Sequence, residues 1–534
     1  MTRRLFWVCT IILMSMSLLP FIFGWVMTPP QHTYTGLHGN APGDILVYYS
    51  YLEQVRQGAL AFRDLFTGEP QSANLILPVW LGTGLVGRLL HTPPPVTFHL
   101  VRVLSIPLLM AAIAAAARCF LTDKRQQRLA FLFAVFAGGL GFLLGPIEQH
   151  LWGRDVIEHF WPMDIWTSEG FTYLTAAQSP HFIVGTALLL FFLVETVHTL
   201  ERGVRWRTVL AGVGACILLA TTPFLIVLLI PLSLAALILS RSTGVMFHTR
   251  LTRLLCLWVP TLPALVYVGL YQAFDAFAKA RATQNILMTP AWWVTLASYG
   301  LLIPLALWGV RQVWRDRSWR TRLLLAWFVV QPMLFFGPFF FQRRLVQGWQ
   351  FPLGFLAAVG AEALLYRSRL VRWGGWKTGL VALALALLFG SPVYQLANDL
   401  ALVSDEGRQE LSAFYLPHTF MDGYAWVKKN TSPNAVVVAD ASYGVFLPAF
   451  SGRQTYVAHG VETLEYDRKR AVSRDVFRGV YSPNDVQRLA QREGWTYVWV
   501  SPVEKYFGFD LSRYPFLAPQ FSNADVTIAS VSSN

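Results

Sequence analysis

Charge is scarce in this chain. Only 14% of its 534 residues are Asp, Glu, Lys or Arg, where a soluble protein carries nearer a quarter. A water-soluble globular fold for the whole chain is therefore excluded. Cysteine is scarcer still. Cys9, Cys119, Cys216 and Cys256 are the four, all in or beside apolar runs, and they offer neither a disulfide framework nor a CxxC metal site. A Walker A loop, an HExxH helix and a nucleophile elbow are all missing. Gly82-Thr83-Gly84-Leu85-Val86-Gly87 has GxGxxG spacing, but no strand precedes it and no acid stands about 20 positions later. Helix packing or an interfacial bend accounts for it better. Gly141 and Gly145 form a GxxxG in an apolar run, for which close helix contact suffices.

Apolar residues are abundant, at 54%. Runs of about 20, each able to span roughly 30 Å of hydrocarbon, predict about eleven transmembrane helices: 5–27, 96–118, 129–147, 181–200, 207–221, 223–240, 254–274, 291–310, 322–341, 350–366 and 376–395. The first run is too long for a signal-peptide core and lacks a cleavage site. Residues 75–91 are apolar but short and contain Pro78 and Arg88, which favours an interfacial helix over a span.

The net charge of +13 comes from 43 Lys+Arg against 30 Asp+Glu. A basic balance can signal nucleic acid, yet its placement here points to topology. Alternate short connections hold 21 Lys/Arg, the opposite ones before residue 396 hold 8, and residues 396–534 carry 13 basic and 15 acidic side chains. By the positive-inside rule the N-terminus is cytoplasmic and residues 396–534 are outside. A nucleic-acid partner is not expected. The expected organisation is a transmembrane domain over 1–395, with large outside loops at 28–95 and 148–180, followed by a soluble extracytoplasmic domain over 396–534. In that domain short β-rich runs (Ala435–Ala439, Gln454–Val457, Tyr497–Val500, Val526–Ala529) alternate with helix-like stretches (Met421–Asn430, Glu462–Phe477, Pro483–Glu493), the pattern of a small α/β fold.

Polar residues crowd one side of this scheme. Asp44 follows Gly43 in the first outside loop and opens a stretch, Asp44–Ala61, with helical spacing. It suits either a helix N-cap or chemistry. The second loop carries Glu148, His150, Asp155, Glu158, His159, Asp164 and Glu169, with His181 at the mouth of the next helix. Such a set can hold a divalent cation or move a proton; it can equally be a solvated loop. Arg343-Arg344 is an outside basic pair among aromatics. Paired guanidiniums can grip a lipid phosphate or snorkel to headgroups.

Together these residues resemble the GT-C superfamily of membrane glycosyltransferases, in particular its bacterial members related to the dolichyl- and polyprenyl-phosphate-sugar enzymes. The resemblance is carried by Gly43-Asp44-Ile45-Leu46-Val47-Tyr48, by Met163-Asp164 through Glu169-Gly170-Phe171 leading to Pro180-His181-Phe182, by Thr222-Pro223-Phe224 and by Gln284-Asn285. Phe341-Gln342-Arg343-Arg344 running into Phe351-Pro352-Leu353, Ala458-His459-Gly460 and Glu462–Lys469 extend it. It implies an inverting transferase of the cell envelope that moves a sugar from a polyprenyl-phosphate donor to a glycan, lipid or protein acceptor at the outer face of the plasma membrane. It further implies Asp44 as catalytic base, Arg343 and Arg344 on the donor phosphate, and Asp164, Glu169 and His181 as acceptor or metal residues. Some members use a divalent metal such as Mg or Mn and others none; here Asp44 follows a glycine rather than pairing with a second acid. A transporter would keep its polar residues near the bilayer midplane, whereas here the spans are nearly free of ionisable groups, with Arg102 and Glu362 the main exceptions. A non-catalytic assembly protein, with Asp44 only a cap, is the other alternative.

Overall fold

A computed structural model describes residues 2–39, 41–152, 162–367, 376–409 and 412–532. The chain forms two compact units. Unit 1 comprises Met1–Leu19, Arg102–Ala273 and Ile286–Asp399; unit 2 comprises Pro20–Val101, Phe274–Asn285 and Leu400–Asn534. The first loop and the C-terminal segment thus share one unit.

Unit 1 is helical, and all eleven apolar runs contain helix. Among the described residues, seven helices are long and apolar enough to cross a membrane, or eight if the bent pair Trp292–Tyr299 and Leu302–Val313 is one broken span. The expected eleven spans are therefore not all met. Trp206–Thr221 and Gln350–Glu362 have 16 and 13 residues. At about 1.5 Å per residue they rise about 20–24 Å, short of the roughly 30 Å hydrocarbon core. Gln350–Glu362 is buried at every position. It packs against Leu302–Val313 and Lys124–Phe136 where side chains are minimal: a Cβ on Gly309 would stand 1.9 Å from the Leu356 carbonyl oxygen, and one on Gly360 2.0 Å from that of Leu305. Small residues let helix backbones approach this closely. The 82° bend follows Tyr299, where Gly300 takes a left-handed φ of 46° that side-chain-bearing residues disfavour.

Unit 2 is mixed. A five-stranded sheet runs in the order β4-β3-β5-β7-β6, formed by β3 (Val436–Val438), β4 (Gln454–Thr455), β5 (Tyr497–Val500), β6 (Leu517–Ser522) and β7 (Thr527–Val531). The β4, β3 and β5 strands are parallel, while β7 is antiparallel to both β5 and β6. Covered on both faces, β3 is a bare Val-Val-Val run, as a buried parallel strand should be. Three expected helices appear as His418–Asn430, Tyr466–Phe477 and Pro483–Arg492. The expectation missed β6 because Pro519 interrupts it; it is an edge strand with an irregularity between Pro519 and Phe521, the setting that tolerates proline. A two-stranded ribbon pairs β1 (His32–Tyr34) with β2 (Tyr415–Pro417), His32 opposite Pro417. Residues 78–90 of the ambiguous apolar stretch form one 13-residue helix. Its Gly84 and Gly87 lie where a Cβ would meet Val55 and Thr97 at 2.6 and 2.4 Å, while Gly82 faces open space, so the last two glycines of the GxGxxG are packing positions.

Candidate functional site

In unit 2 the first-loop acid sits at the head of helix Pro42–Arg56. Proline in the first turn and left-handed Ala41 (φ 52°) start this helix, and Ile45, Leu46, Tyr49 and Leu52 anchor it in the core. Asp44 is inside the first turn, and the N-cap position belongs to Ala41, with no side-chain cap bond. The cap reading of Asp44 is thereby overturned, although an acid this close to the N-terminus still gains from the helix dipole. Its side chain is 46% exposed, and its Oδ1 lies 3.2 Å from Nε2 of His459.

Behind His459 lies a buried charge network. Glu462 is ion-paired with Arg281, whose guanidinium is 4.0 Å from Asp64 Oδ2. Asp64 Oδ1 accepts the Phe66 N–H at 2.9 Å. Burial, and then the charge of Glu462, push the Asp64 carboxyl well above the usual range. Burial acts the same way on Glu462, but Arg281 and His459 outweigh it and hold that carboxyl below its ordinary value. One carboxylate of this network thus favours its charged form while its neighbour favours the proton.

In unit 1, Asp164 lies in the turn Met163–Ile165 and is buried. Its Oδ2 accepts the N–H groups of Gly139 at 2.8 Å and Gly141 at 3.0 Å, and the Ser391 hydroxyl. Burial pushes its carboxyl up to about 6 against the pull of these bonds. Gly141 is glycine because a Cβ would stand 2.4 Å from the Asp164 Oδ1, which replaces helix–helix contact as the reason for that residue. Glu169, also buried, pairs with Arg344 at 2.9 Å. Arg343 lies over the Trp166 ring at 4.5 Å and Arg344 over Phe224 at 5.8 Å. His181 Nδ1 and the Ser179 hydroxyl are 2.7 Å apart. Unit 1 therefore joins Glu169 to Arg344 and commits Asp164 to the main chain of 139–141. Asp155, Glu158 and His159 lie outside the described residues. His459, Arg281 and Ser391 had no sequence signal strong enough to give them a role, since each is defined by partners far away in the chain.

The sequence matches no family model, and no curated protein matches it. Solved structures do match. The archaeal oligosaccharyltransferase AglB from Archaeoglobus fulgidus, in complex with an inhibitory peptide and a dolichol-phosphate, is similar with a TM-score of 0.54 at 12% identity, over 93% of this chain and 69% of that one. The chain has the GT-C fold. A second GT-C neighbour, the arabinofuranosyltransferase AftD from Mycobacteria, gives a TM-score of 0.55 at 13% identity, over 100% of this chain and 40% of the larger AftD chain. On this GT-C fold, no group of three or more His, Cys, Asp or Glu able to hold a metal ion occurs among the described residues. Asp164, Glu169 and His181, one bound to backbone N–H groups, one to an arginine and one to a serine, do not form such a set.

Proposed function

We propose that this chain is a membrane glycosyltransferase that takes a sugar from a polyprenyl-phosphate-linked donor and passes it to an acceptor hydroxyl on the outer face of the membrane. The observation that carries this reading is Asp44, a half-exposed carboxylate backed by a buried charge network, on a GT-C fold. Asp44 takes the hydroxyl proton as the acceptor oxygen attacks the anomeric carbon. The new C–O bond forms as the bond to the phosphate oxygen breaks, and the electron pair leaves with the polyprenyl phosphate. A single displacement of this kind inverts the anomeric centre. Arg343 and Arg344 meet the phosphate charge. Their stacking on Trp166 and Phe224 supports a pre-set orientation, and the dolichol-phosphate held by the AglB structure is a ligand of the same chemical class.

The 21-to-8 basic asymmetry supports a cytoplasmic N-terminus and an extracytoplasmic segment 396–534. A reporter fused after Asn534 should be active only outside. The activity is tested with purified protein in lipid discs and a labelled polyprenyl-phosphate sugar: labelled glycan product and free polyprenyl phosphate are expected. No turnover of such donors would sink the proposal.

A further inference from the structure

The imidazole of the Ala458-His459-Gly460 segment is the ion-pair partner of Asp44. The surrounding loop is tightly tied. Thr463 Oγ1 accepts the N–H groups of Ala458 at 3.1 Å and His459 at 3.2 Å, and the Thr463 N–H returns to the His459 carbonyl at 2.9 Å. Inside this loop the N–H groups of Val461 and Glu462 both point at His459 Nδ1, each at 3.3 Å. An N–H donor requires a lone pair, so Nδ1 is the acceptor and the ring proton sits on Nε2. Nε2 is the atom 3.2 Å from Asp44 Oδ1.

The helix carrying Asp44 is shaped for this ring. A Cβ on Gly43 would stand 3.1 Å from His459 Cδ2 and 3.2 Å from Nε2, closer than ordinary van der Waals contact. Glycine before the acid therefore lets the imidazole reach under the first turn. Phe66 closes the other side, with ring centroids 6.1 Å apart at 74°.

We propose that His459 is the positioning residue of Asp44, donating Nε2–H to Oδ1 so that the carboxylate is held in one orientation toward the acceptor hydroxyl. The inference rests on the reading of Asp44 as the group that takes the acceptor proton. A carboxylate on a helix end samples several rotamers, and a base misplaced by about 1 Å can cost about a hundredfold in rate. The charged and titratable groups facing the imidazole are Asp44 on helix Pro42–Arg56, Arg281 on helix Ala276–Gln284, and Glu462 in its own loop, with Asp64 linked to them through Glu462 and Arg281. Burial disfavours the imidazolium and Arg281 repels it. The hydrogen bond to Asp44 and the charges of Glu462 and Asp44 prevail, so the pKa lies above the ordinary histidine value.

Three single substitutions and one double variant test this in the whole chain. His459→Phe keeps the ring volume and removes the donor; kcat should fall about 10- to 100-fold with the donor KM unchanged. His459→Gln, whose amide nitrogen can stand near Nε2, should recover most of that loss. Gly43→Ala, which leaves both functional groups in place and displaces the ring, should lower kcat in the same direction. On the Asp44→Asn background, His459→Phe should add no further loss, because both changes remove the same device. Equal impairment of the Phe and Gln variants, or losses that multiply with Asp44→Asn, would overturn the role. A second measurement does not depend on turnover. In protein labelled with 13C-histidine, the His459 resonance, assigned by its disappearance in His459→Gln, should titrate at lower pH in Asp44→Asn than in wild type, since a neighbouring negative charge has gone. An unmoved titration would show that the pair does not form. Wild-type protein without transferase turnover would instead overturn the reading of Asp44 beneath this inference, leaving the pairing to be judged by the titration alone.

Discussion

The two units hold buried charge differently. In unit 1, Arg102 is fully buried and donates to Ser17 and to the carbonyl oxygens of Ala176 and Ala177 at 2.8 and 3.0 Å. Asp164 is held by two backbone N–H groups and a serine. In unit 2, Glu53 meets Lys428 and Arg56, and Glu462 and Asp64 share Arg281. Arg453 departs from that pattern, bonded to carbonyl oxygens of Lys428 and Thr431 at the end of helix His418–Asn430. Backbone partners do not titrate, so Arg102 and Asp164 act as geometric pins, whereas Glu169 with Arg344 and Glu195 with Arg207 are side-chain pairs within unit 1. Side-chain partners do titrate, so the protonation of one group in unit 2 is coupled to the next. The linked groups Asp64, Arg281, Glu462 and His459 of unit 2 are suited to moving a proton, because the charge of each bears on the next.

The sharpest way to break this contrast is Asp44→Asn. An amide takes no proton near neutral pH, so transfer should slow by about 10²–10⁴, while the protein stays folded because Asn has the shape of Asp and the N-cap position belongs to Ala41. Wild-type turnover in a folded Asp44→Asn protein would remove the catalytic half of the comparison. Next comes Arg102→Leu. It strips the donor from buried oxygens, each worth about 1–3 kcal/mol when orphaned, and the midpoint measured in detergent should drop; an unchanged midpoint would mean that Arg102 is no pin. Replacing both Arg343 and Arg344 by Gln should raise the KM for lipid donor about tenfold or more, as charge-assisted bonds are worth about 1.5–3 kcal/mol each, with the fold retained. Donor affinity that does not change would make them headgroup anchors.

The smallest effect is in pH. Asp164 binds its proton more tightly in the folded protein, with a pKa of about 6, than an ordinary unfolded Asp at about 3.9. Its contribution therefore favours folding below about pH 4 and declines as pH rises to about 6. Comparing thermal midpoints of wild type and Asp164→Asn, the wild type should gain relative to the variant as pH falls from 7 toward 5. A constant difference would mean that Asp164 does not titrate in this window.

Much of this was legible beforehand where the signal is local. The helical spacing after Asp44 became Pro42–Arg56, and the β-rich run Tyr497–Val500 became a central strand with the same bounds. Gln350–Glu362 reads in sequence like a lipid-facing span, because a helix buried wholly in protein is as apolar as one facing lipid. The candidate acids of the second loop were legible as a group but not in their roles: whether a carboxylate meets an N–H, an arginine or a substrate depends on partners such as Gly139, Ser391 and Arg344, up to 227 positions away.

By itself the sequence determined that this chain is helical, rich in membrane-spanning runs and followed by an α/β segment, because apolar length and periodicity act within one element. Only the tertiary structure decided that His459, 415 residues after Asp44, lies beside it, that Arg281 stands between two buried carboxylates, and that Gly43 and Gly141 are glycines for the sake of a distant side chain. Those facts are set by packing, where a missing methyl group or one hydrogen bond between remote segments fixes a geometry that no local pattern encodes.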